Sequence, residues 1–150
     1  MPLGALISHT TRVIRAEELR ASYFFHGLSN AQLDAILTVT REVNYPGGET
    51  VVRQFERSSD LLVVLSGTVK IKGISGEDIA ELGEGHVVGE VSLVDNAPRS
   101  ATVMSAGNVR AAVIPAEELH ALMKKDVAMK AAIMETLAKL LCSRLRRMHI

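Results

Sequence analysis

The sequence predicts an α+β fold that is mainly β, an antiparallel β-sandwich or jelly-roll barrel flanked by N-terminal and C-terminal helices. Two patterns predict it. Apolar residues recur at helical spacing near both ends of the chain, and between them several short apolar or alternating runs are separated by glycine-containing corners. The 150 residues, 47% hydrophobic and 23% charged, suit one globular domain with a substantial core. We therefore expect a single domain over residues 1–150.

The N-terminal segment, residues 1–44, is predicted to be helical. Residues 11–21 carry apolar and acidic side chains at helical spacing. A second helix is predicted directly after Ser29, whose hydroxyl can accept a hydrogen bond from the first free amides of a helix. The apolar face of this helix is expected to consist of Leu28, Leu33, Ile36 and Leu37.

The central segment, residues 45–115, is predicted to form the barrel. A Pro-Gly-Gly turn signal precedes a strand at residues 50–52, and the continuous apolar run at residues 61–65 predicts a strand buried on both sides. Ser66 and Gly67 are expected to end that strand. Further strands are expected at residues 69–72, 79–82, 100–104 and 109–114, the last two separated by a turn at residues 106–108.

The C-terminal segment, residues 116–150, is predicted to contain two helices, at residues 116–124 and from residue 126 to about residue 148. The longer one carries an a/d-like apolar seam of Val127, Met134, Leu137, Leu141 and Met148. About three heptads are too few for a free-standing coiled coil. We expect this helix to pack on its own domain, and pairing with a second copy would make a homodimer.

Composition excludes several classes of protein. The formal net charge is zero and aromatic residues make up 3% of the chain, which disfavours nucleic-acid binding. The single cysteine, Cys142, lies among leucines and is expected to be a small buried hydrophobe in a reducing compartment. The histidines lack metal-ligand spacing, so we expect no metal, no cofactor and no catalysis. With no signal peptide and no long apolar run, a cytoplasmic protein is expected.

Most of the chemistry suited to ligand binding is concentrated in residues 89–102. Gly89 allows close approach of the backbone, and Arg99 offers a planar cationic fork that matches phosphate oxygens. Glu90 would be repelled by a phosphate, so its natural partner is a hydroxyl such as a ribose 2′-OH. A helical turn at residues 90–94 would add free amides. Together these groups suit a compact nucleotide, and the alternative is a weak surface ion pair between Glu90 and Arg99.

Residues 89–102, with Gly89-Glu90-x-x-Leu93 followed by Pro98-Arg99-Ser100-Ala101-Thr102, closely resemble the phosphate-binding cassette of the cyclic-nucleotide-binding domain family. That family includes the catabolite activator protein, the regulatory subunit of protein kinase A and cyclic-nucleotide-gated channels. Residues 25–29, 45–49 and 64–70 resemble other family segments, so the similarity covers most of the chain.

The resemblance implies a role for each candidate residue. Arg99 would contact the cyclic phosphate, Glu90 the ribose 2′-OH, and Arg144 the base. The alternative for the basic cluster at residues 144–147 is a solvated helix end. Backbone amides of Val91, Ser100 and Ala101 would complete the phosphate cradle, and Ile71, Leu82 and Val88 would line the sugar and base pocket. The full set of expected ligand-binding residues is Gly89, Glu90, Val91, Ser92, Arg99, Ser100, Ala101, Ile71, Leu82, Val88 and Arg144.

The chain departs from the family pattern at two positions. Phe55 stands where the family often has glycine, so that turn is expected to be built differently. Val88 stands where an aromatic often precedes the Gly-Glu pair, which would loosen the pocket wall. Neither position contacts the phosphate, so the ability to bind a ligand is expected to be intact.

The function implied by the resemblance is a stand-alone, bacterial-type regulatory module that binds cAMP or cGMP and repositions its last helix toward an unknown effector protein. The sequence continues only to Ile150 after that helix, so we expect no fused DNA-binding output, no DNA partner and no membrane partner. Two alternatives stay open: a degenerate structural or protein-interaction module of the same fold, and a truncated DNA-binding regulator.

Overall fold

The computed structural model describes residues 14–148. It contains five α-helices, a short 3₁₀ turn at Tyr23–Phe25 and six β-strands within that range. The helices are α1 (Ala16–Arg20), α2 (Asn30–Leu37), α3 (Glu90–Asp95), α4 (Ala116–Lys125) and α5 (Val127–Arg147). The strands are β1 (Arg41–Tyr45), β2 (Thr50–Val52), β3 (Leu61–Lys72), β4 (Asp78–Leu82), β5 (Val87–Val88) and β6 (Thr102–Ile114).

The six strands form one antiparallel sheet around the long pair β3 and β6. The order is β1-β6-β3-β4, with β2 also paired to β6 and β5 also paired to β3. Helices flank this sheet, which confirms the predicted α+β, mainly antiparallel architecture of jelly-roll type.

The apolar run at residues 61–65 is buried on both sides, as predicted. Leu61, Val63 and Leu65 pack into a core shared with the helices, whereas Leu62 and Val64 pack into a second core inside the barrel. Because strand side chains alternate between two faces, one strand serves both cores. The sheet is thus the wall between the helical layer and the barrel interior.

Two predicted strand breaks are wrong, because the chain bulges there instead of turning. β3 continues through Ser66 and Gly67, and β6 continues through residues 106–108. The pairing register of these two strands shifts at this place. Gly67 has φ +90, and a Cβ there would overlap the backbone oxygen of Asn108, so glycine lets the two strands meet closely at the bulge.

The sheet also contains two strands that the sequence patterns did not predict. β1 begins at Arg41, earlier than the turn at which the strands were expected to start. Its sequence REVNY includes the buried Glu42, which pairs with Arg110 of β6. Because a charged residue lies on the buried face, the alternation of apolar residues that predicts a strand is missing here. β5 has only two residues and follows a glycine corner.

The N-terminal prediction is confirmed for α2. Ser29 caps this helix by accepting a hydrogen bond from the amide of Gln32 at 3.2 Å, and the side chains of Leu28, Leu33 and Ile36 are buried. The first helix is shorter than expected, at Ala16–Arg20, and residues 11–13 of that prediction lie outside the described residues.

The two C-terminal helices agree with the prediction, but the buried face of α5 differs from the predicted seam. The core face is Met129, Ile133 and Leu137. Of the predicted seam, Leu137 is buried and Met134 packs at the edge of the core, whereas Val127, Leu141 and Met148 are exposed.

Cys142 is exposed, so its predicted burial is wrong. The buried residues of α5 end at Leu137, and the leucines that flank Cys142 in the sequence therefore do not enclose it in a core. None of the helices within residues 14–148 combines the length and apolarity needed to cross a membrane.

Candidate ligand-binding site

A cavity of about 620 Å³ opens between the barrel, α3 and the C-terminal part of α5. All eleven residues that the sequence analysis predicted for ligand binding line this cavity. Three separate elements supply them: the sheet gives Ile71, Leu82 and Val88, the segment at residues 89–101 gives seven, and α5 gives Arg144. The fold therefore brings together residues that are more than seventy positions apart in the sequence.

Gly89 forms the N-terminus of α3 in a backbone conformation that favours glycine. Its φ is +89, in the left-handed region. A Cβ at this position would overlap Nη1 of Arg99 and would lie 2.9 Å from the backbone oxygen of Asp60. Both the backbone angle and the space taken by the guanidinium thus require glycine here.

Arg99 is a buried cation whose hydrogen bonds are incomplete. The residue is 3% exposed, and its Nη2 donates to the backbone oxygen of Asp60 at 2.6 Å and to Oγ of Ser58 at 3.4 Å. Its Nε and Nη1 are buried without a hydrogen-bond partner. Burial lowers the pKa of Arg99 from its usual value, and the nearby charge of Asp60 opposes this most strongly. A guanidinium stays protonated in proteins, so two donors of a permanent cation are unpaired.

The backbone of Arg99 is held by the loop that contains Phe55. The Arg99 amide donates to the backbone oxygen of Glu56 at 2.8 Å, and the Arg99 oxygen accepts from the amide of Phe55 at 2.9 Å. Phe55 has φ +70, so this position has the left-handed backbone that glycine favours, although its side chain is aromatic and exposed. The sequence suggested that this turn is built differently because Phe55 replaces a glycine, but the backbone at Phe55 has the conformation that a glycine would adopt.

Glu90 is buried at the start of α3 and pairs with a residue of the last helix. Its side chain is 5% exposed, and its Oε1 forms an ion pair with Nη2 of Arg144. The alternative of a surface ion pair between Glu90 and Arg99 is therefore wrong, because both residues are buried and the ion pair of Glu90 is with Arg144. Arg144 is half exposed and pairs with Glu90, whereas Arg146 and Arg147 are exposed in the last turn, so the interpretation as a solvated helix end holds for those two residues and not for Arg144.

The apolar side of the cavity is the inner wall of the barrel. Val88 is buried in the barrel core, and Ile71 and Leu82 are partly buried against the same core. Among the other lining residues, Val91 and Ser100 are exposed, whereas Ser92 is buried. The cavity thus combines an apolar wall with the charged side chains of Glu90, Arg99 and Arg144, as a ligand with an apolar part and an anionic part requires.

The structure adds lining residues that sequence reasoning missed. Leu140 and Arg147 lie four residues before and three after Arg144, so helical spacing from that residue would have found both. Tyr23 comes from the 3₁₀ turn, and no local pattern connected it with the cavity. Burial and then the negative charge of Glu90 raise the pKa of Tyr23. Within residues 14–148 no three metal-ligating His, Cys, Asp or Glu side chains come together.

The chain is similar to several known proteins. The sequence model of the family described as cyclic nucleotide-binding domain matches residues 42–126, more than half of the chain. The chain is similar to the cyclic AMP receptor protein of Thermus thermophilus, with 30% identity over 132 residues that cover 85% of this chain and 59% of that protein. The chain thus spans about three fifths of that relative's length.

Two further similarities bear on fold and function. The crystal structure of the Thermus thermophilus catabolite activator protein matches with a TM-score of 0.72 and 30% identity, covering 85% of this chain and 60% of that one. The acetyltransferase Pat of Mycolicibacterium smegmatis is 28% identical over 96 residues, which cover 62% of this chain and 29% of that enzyme. Similar regions thus occur in a cyclic AMP receptor protein and as one part of an acetyltransferase.

Proposed function

The chain belongs to the cyclic nucleotide-binding domain family, and we propose that it binds a cyclic mononucleotide, cAMP or cGMP, as a regulatory input. The observation that carries the proposal is the pair of buried, unpaired donors on Arg99. A buried donor without a partner costs free energy, and charged donors cost more, so such groups are rarely kept without a use. An anion with two acceptor oxygens, such as a phosphodiester, would satisfy both.

The remaining cavity matches the other parts of such a nucleotide. Glu90 offers a buried carboxylate that can accept from a ribose 2′-hydroxyl, and the apolar wall at Ile71, Leu82 and Val88 suits the sugar and base. Small-molecule sites have volumes of about 300–1,000 Å³, and about 620 Å³ falls in this range. We assign the phosphate to Arg99 and the amides of Val91, Ser100 and Ala101, as the family resemblance implies.

The output of binding is proposed to pass through α5. This helix lines the cavity with Leu140, Arg144 and Arg147. A separate stripe of the same helix exposes Val127, Leu141, Leu145 and Met148. A nucleotide that shifts α5 would thereby shift an apolar surface, to which an effector protein or a second copy of the chain can bind.

Isothermal titration calorimetry with cAMP and cGMP tests the proposal. The wild type is expected to bind one of them, and Arg99→Ala is expected to weaken binding by about 100-fold or more, because two charge-assisted hydrogen bonds are lost. The matched control is Arg57→Ala, which removes an exposed arginine from the neighbouring loop and should leave the affinity unchanged. Equal binding by wild type and Arg99→Ala would remove Arg99 from its assigned role.

A second candidate function is an interaction module that uses this fold without a nucleotide. The Glu90–Arg144 ion pair favours it, because that contact satisfies the buried carboxylate from within the chain. This candidate predicts no thermal shift with cAMP, cGMP or cyclic dinucleotides. A nucleotide identified by mass spectrometry in the purified protein would exclude it.

A further inference from the structure

The loop between β2 and β3 brings a serine hydroxyl against the guanidinium of Arg99. This loop, residues 53–60, contains neither helix nor strand. Ser58 lies in it and is partly exposed, and Oγ of Ser58 is 3.4 Å from Nη2 of Arg99. Within residues 14–148, Ser58 is the one residue whose side chain hydrogen-bonds to this guanidinium, because the other contact is to a backbone oxygen.

The oxygen of Ser58 acts as an acceptor in both of its contacts. It accepts from Nη2 of Arg99 and, at 3.5 Å, from the amide of Asp60. An anionic oxygen accepts such hydrogen bonds about twice as strongly as a neutral hydroxyl does. The lining of the cavity includes Arg99 but not Ser58, so the loop reaches the guanidinium from outside the cavity.

The charges near Ser58 leave the guanidinium able to bind a further anion. The charges of Asp60 and Glu56 raise the pKa of Arg99, but burial lowers it more strongly. Nε and Nη1 of Arg99 have no hydrogen-bond partner, so neither carboxylate satisfies them. Arg57, directly before Ser58, adds an exposed positive charge to the same loop.

We propose that Ser58 is a phosphorylation site whose phosphoryl group pairs with Arg99 and thereby opposes nucleotide binding. A protein kinase transfers the γ-phosphoryl group of a nucleoside triphosphate: a bond forms between Oγ and phosphorus, the bond from that phosphorus to the bridging oxygen breaks, and the nucleoside diphosphate leaves. The hydroxyl proton passes to the catalytic base of the kinase. Other proteins reach a fold mainly at its loops, and the exposed Arg57 offers a charge to a kinase with an acidic substrate groove.

A phosphoryl group on Ser58 changes the charge that an incoming nucleotide meets. Phosphoserine carries a charge of about −1.5 to −2 at pH 7 and has three strong acceptor oxygens. These oxygens extend from the atom that Nη2 of Arg99 already contacts, so they compete for the donors that the phosphate of the nucleotide needs. The nucleotide then meets a neutralised cation and a nearby dianion, which repels its phosphate. The opposition to the nucleotide rests on the proposed function, whereas the pairing with Arg99 does not.

Phosphorus NMR of the full chain with phosphoserine incorporated at position 58 tests the pairing without any nucleotide. The second pKa of phosphoserine is about 6, and a guanidinium at hydrogen-bond distance should lower it by about 1 or more. In an Arg99→Met background the pKa should return toward about 6. Glu56 and Asp60 are present in both chains, so the difference between the two pKa values reports the contact with Arg99. Equal values in the two chains would overturn the proposal.

The neighbouring serine is the matched control for the pairing. Oγ of Ser59 lies 3.0 Å from Oδ1 of Asn96 and makes no hydrogen bond to Arg99. Phosphoserine at position 59 should therefore show a smaller change of pKa between the wild type and the Arg99→Met background. A change as large as that at position 58 would mean that the loop as a whole senses the charge, and it would overturn the specific assignment of Ser58.

Calorimetry with the cyclic nucleotide that the unmodified chain binds tests the opposition. Phosphoserine at position 58 should weaken binding by about tenfold or more, the usual effect of losing a hydrogen bond to a charged group. Ser58→Asp and its neutral isostere Ser58→Asn replace this measurement if the phosphorylated chain fails to fold. The aspartate variant should then bind about threefold or more weakly than the asparagine variant, and equal affinities would overturn the proposal.

The modification itself is tested with Mg-ATP and a serine kinase that prefers arginine before its target. Mass spectrometry should then find a phosphate on Ser58, and a chain left unmodified at this residue would overturn its assignment as a phosphorylation site. If the phosphorylated and unmodified chains bind the nucleotide equally, the inference fails and the proposed function stands. An unmodified chain that binds no cyclic nucleotide overturns the proposed function and the opposition with it, whereas the pKa of the phosphoserine still decides the pairing with Arg99.

Discussion

Two arginines that are largely removed from solvent, one buried and one 12% exposed at its side chain, have opposite surroundings. Arg110 of β6 lies between the carboxylates of Glu18 and Glu42, which accept hydrogen bonds from its Nε, Nη1 and Nη2. Arg99, which precedes the same strand, has two buried nitrogens without a partner. Hydrogen bonds to Glu18 raise the pKa of Arg110, whereas burial lowers that of Arg99. One arginine is fully satisfied within the chain, and the other is not.

The number of unpaired donors separates a structural arginine from one that is kept for a ligand. Arg110 links β6 to α1 through Glu18 and to the neighbouring strand β1 through Glu42, so its ion pairs contribute to the stability of the fold. Arg99 costs free energy because part of its hydrogen-bonding capacity is unused. Burial alone does not distinguish them, whereas the count of unpaired donors does.

The largest effect is expected from replacing the two arginines with methionine. Arg110→Met removes the ion pair of Glu18 and leaves the almost fully buried carboxylate of Glu42 without this cation, and it should lower the free energy of unfolding by about 3–5 kcal/mol. Arg99→Met replaces a partly unsatisfied cation with an apolar chain of similar length and should change it by less than about 1 kcal/mol. Urea denaturation measures both, and an equal loss in the two variants would contradict the contrast.

Lowering the pH is expected to weaken the ion pair between Glu18 and Arg110. The hydrogen bond with Arg110 lowers the pKa of Glu18 from 4.5 to about 2, against the cost of burial. The stabilisation is therefore complete above pH 4.5 and is lost as pH falls toward 2, amounting to at most about 3 kcal/mol.

Denaturation in urea across this pH range measures the effect. Glu18→Gln should lower stability at neutral pH and flatten the acid dependence. The matched control, Glu17→Gln at the neighbouring exposed position, should keep the acid dependence of the wild type. An unchanged pH profile in Glu18→Gln would show that other groups carry the acid sensitivity.

Local patterns in the sequence predicted the elements that depend on neighbouring residues. The cap at Ser29 and the apolar run of β3 are confirmed because both depend on residues a few positions apart. β1 was missed because Glu42 is buried only through a partner on β6. Burial of Cys142 was predicted wrongly because the leucines around it do not reach the core.

The candidate site shows the same limit. The residues of the cavity that lie within residues 89–101 could be predicted from their motif. Its two contacts across the fold could not be predicted, namely the pairing of Glu90 with Arg144 and the approach of Tyr23. These depend on how α5 and the N-terminal turn pack, and no local pattern encodes that.

The smallest effect concerns the loop that holds the backbone of Arg99. Phe55 has φ +70, which strains a residue with a Cβ by about 1 kcal/mol or slightly more. Phe55→Gly relieves this strain but adds entropy to the unfolded chain, so the free energy of unfolding should rise by less than about 1 kcal/mol.

Phe55→Ala is the control for this change, because it also removes the exposed ring but keeps the strained Cβ. The glycine variant should therefore be the more stable of the two in urea denaturation. Nucleotide affinity should not change in either, since the hydrogen bonds to Arg99 come from backbone atoms. A glycine variant that is less stable than the alanine variant would contradict this prediction, because the backbone at Phe55 would then not be strained. In that case the rigidity of this loop would be what keeps Arg99 in place despite its unpaired donors.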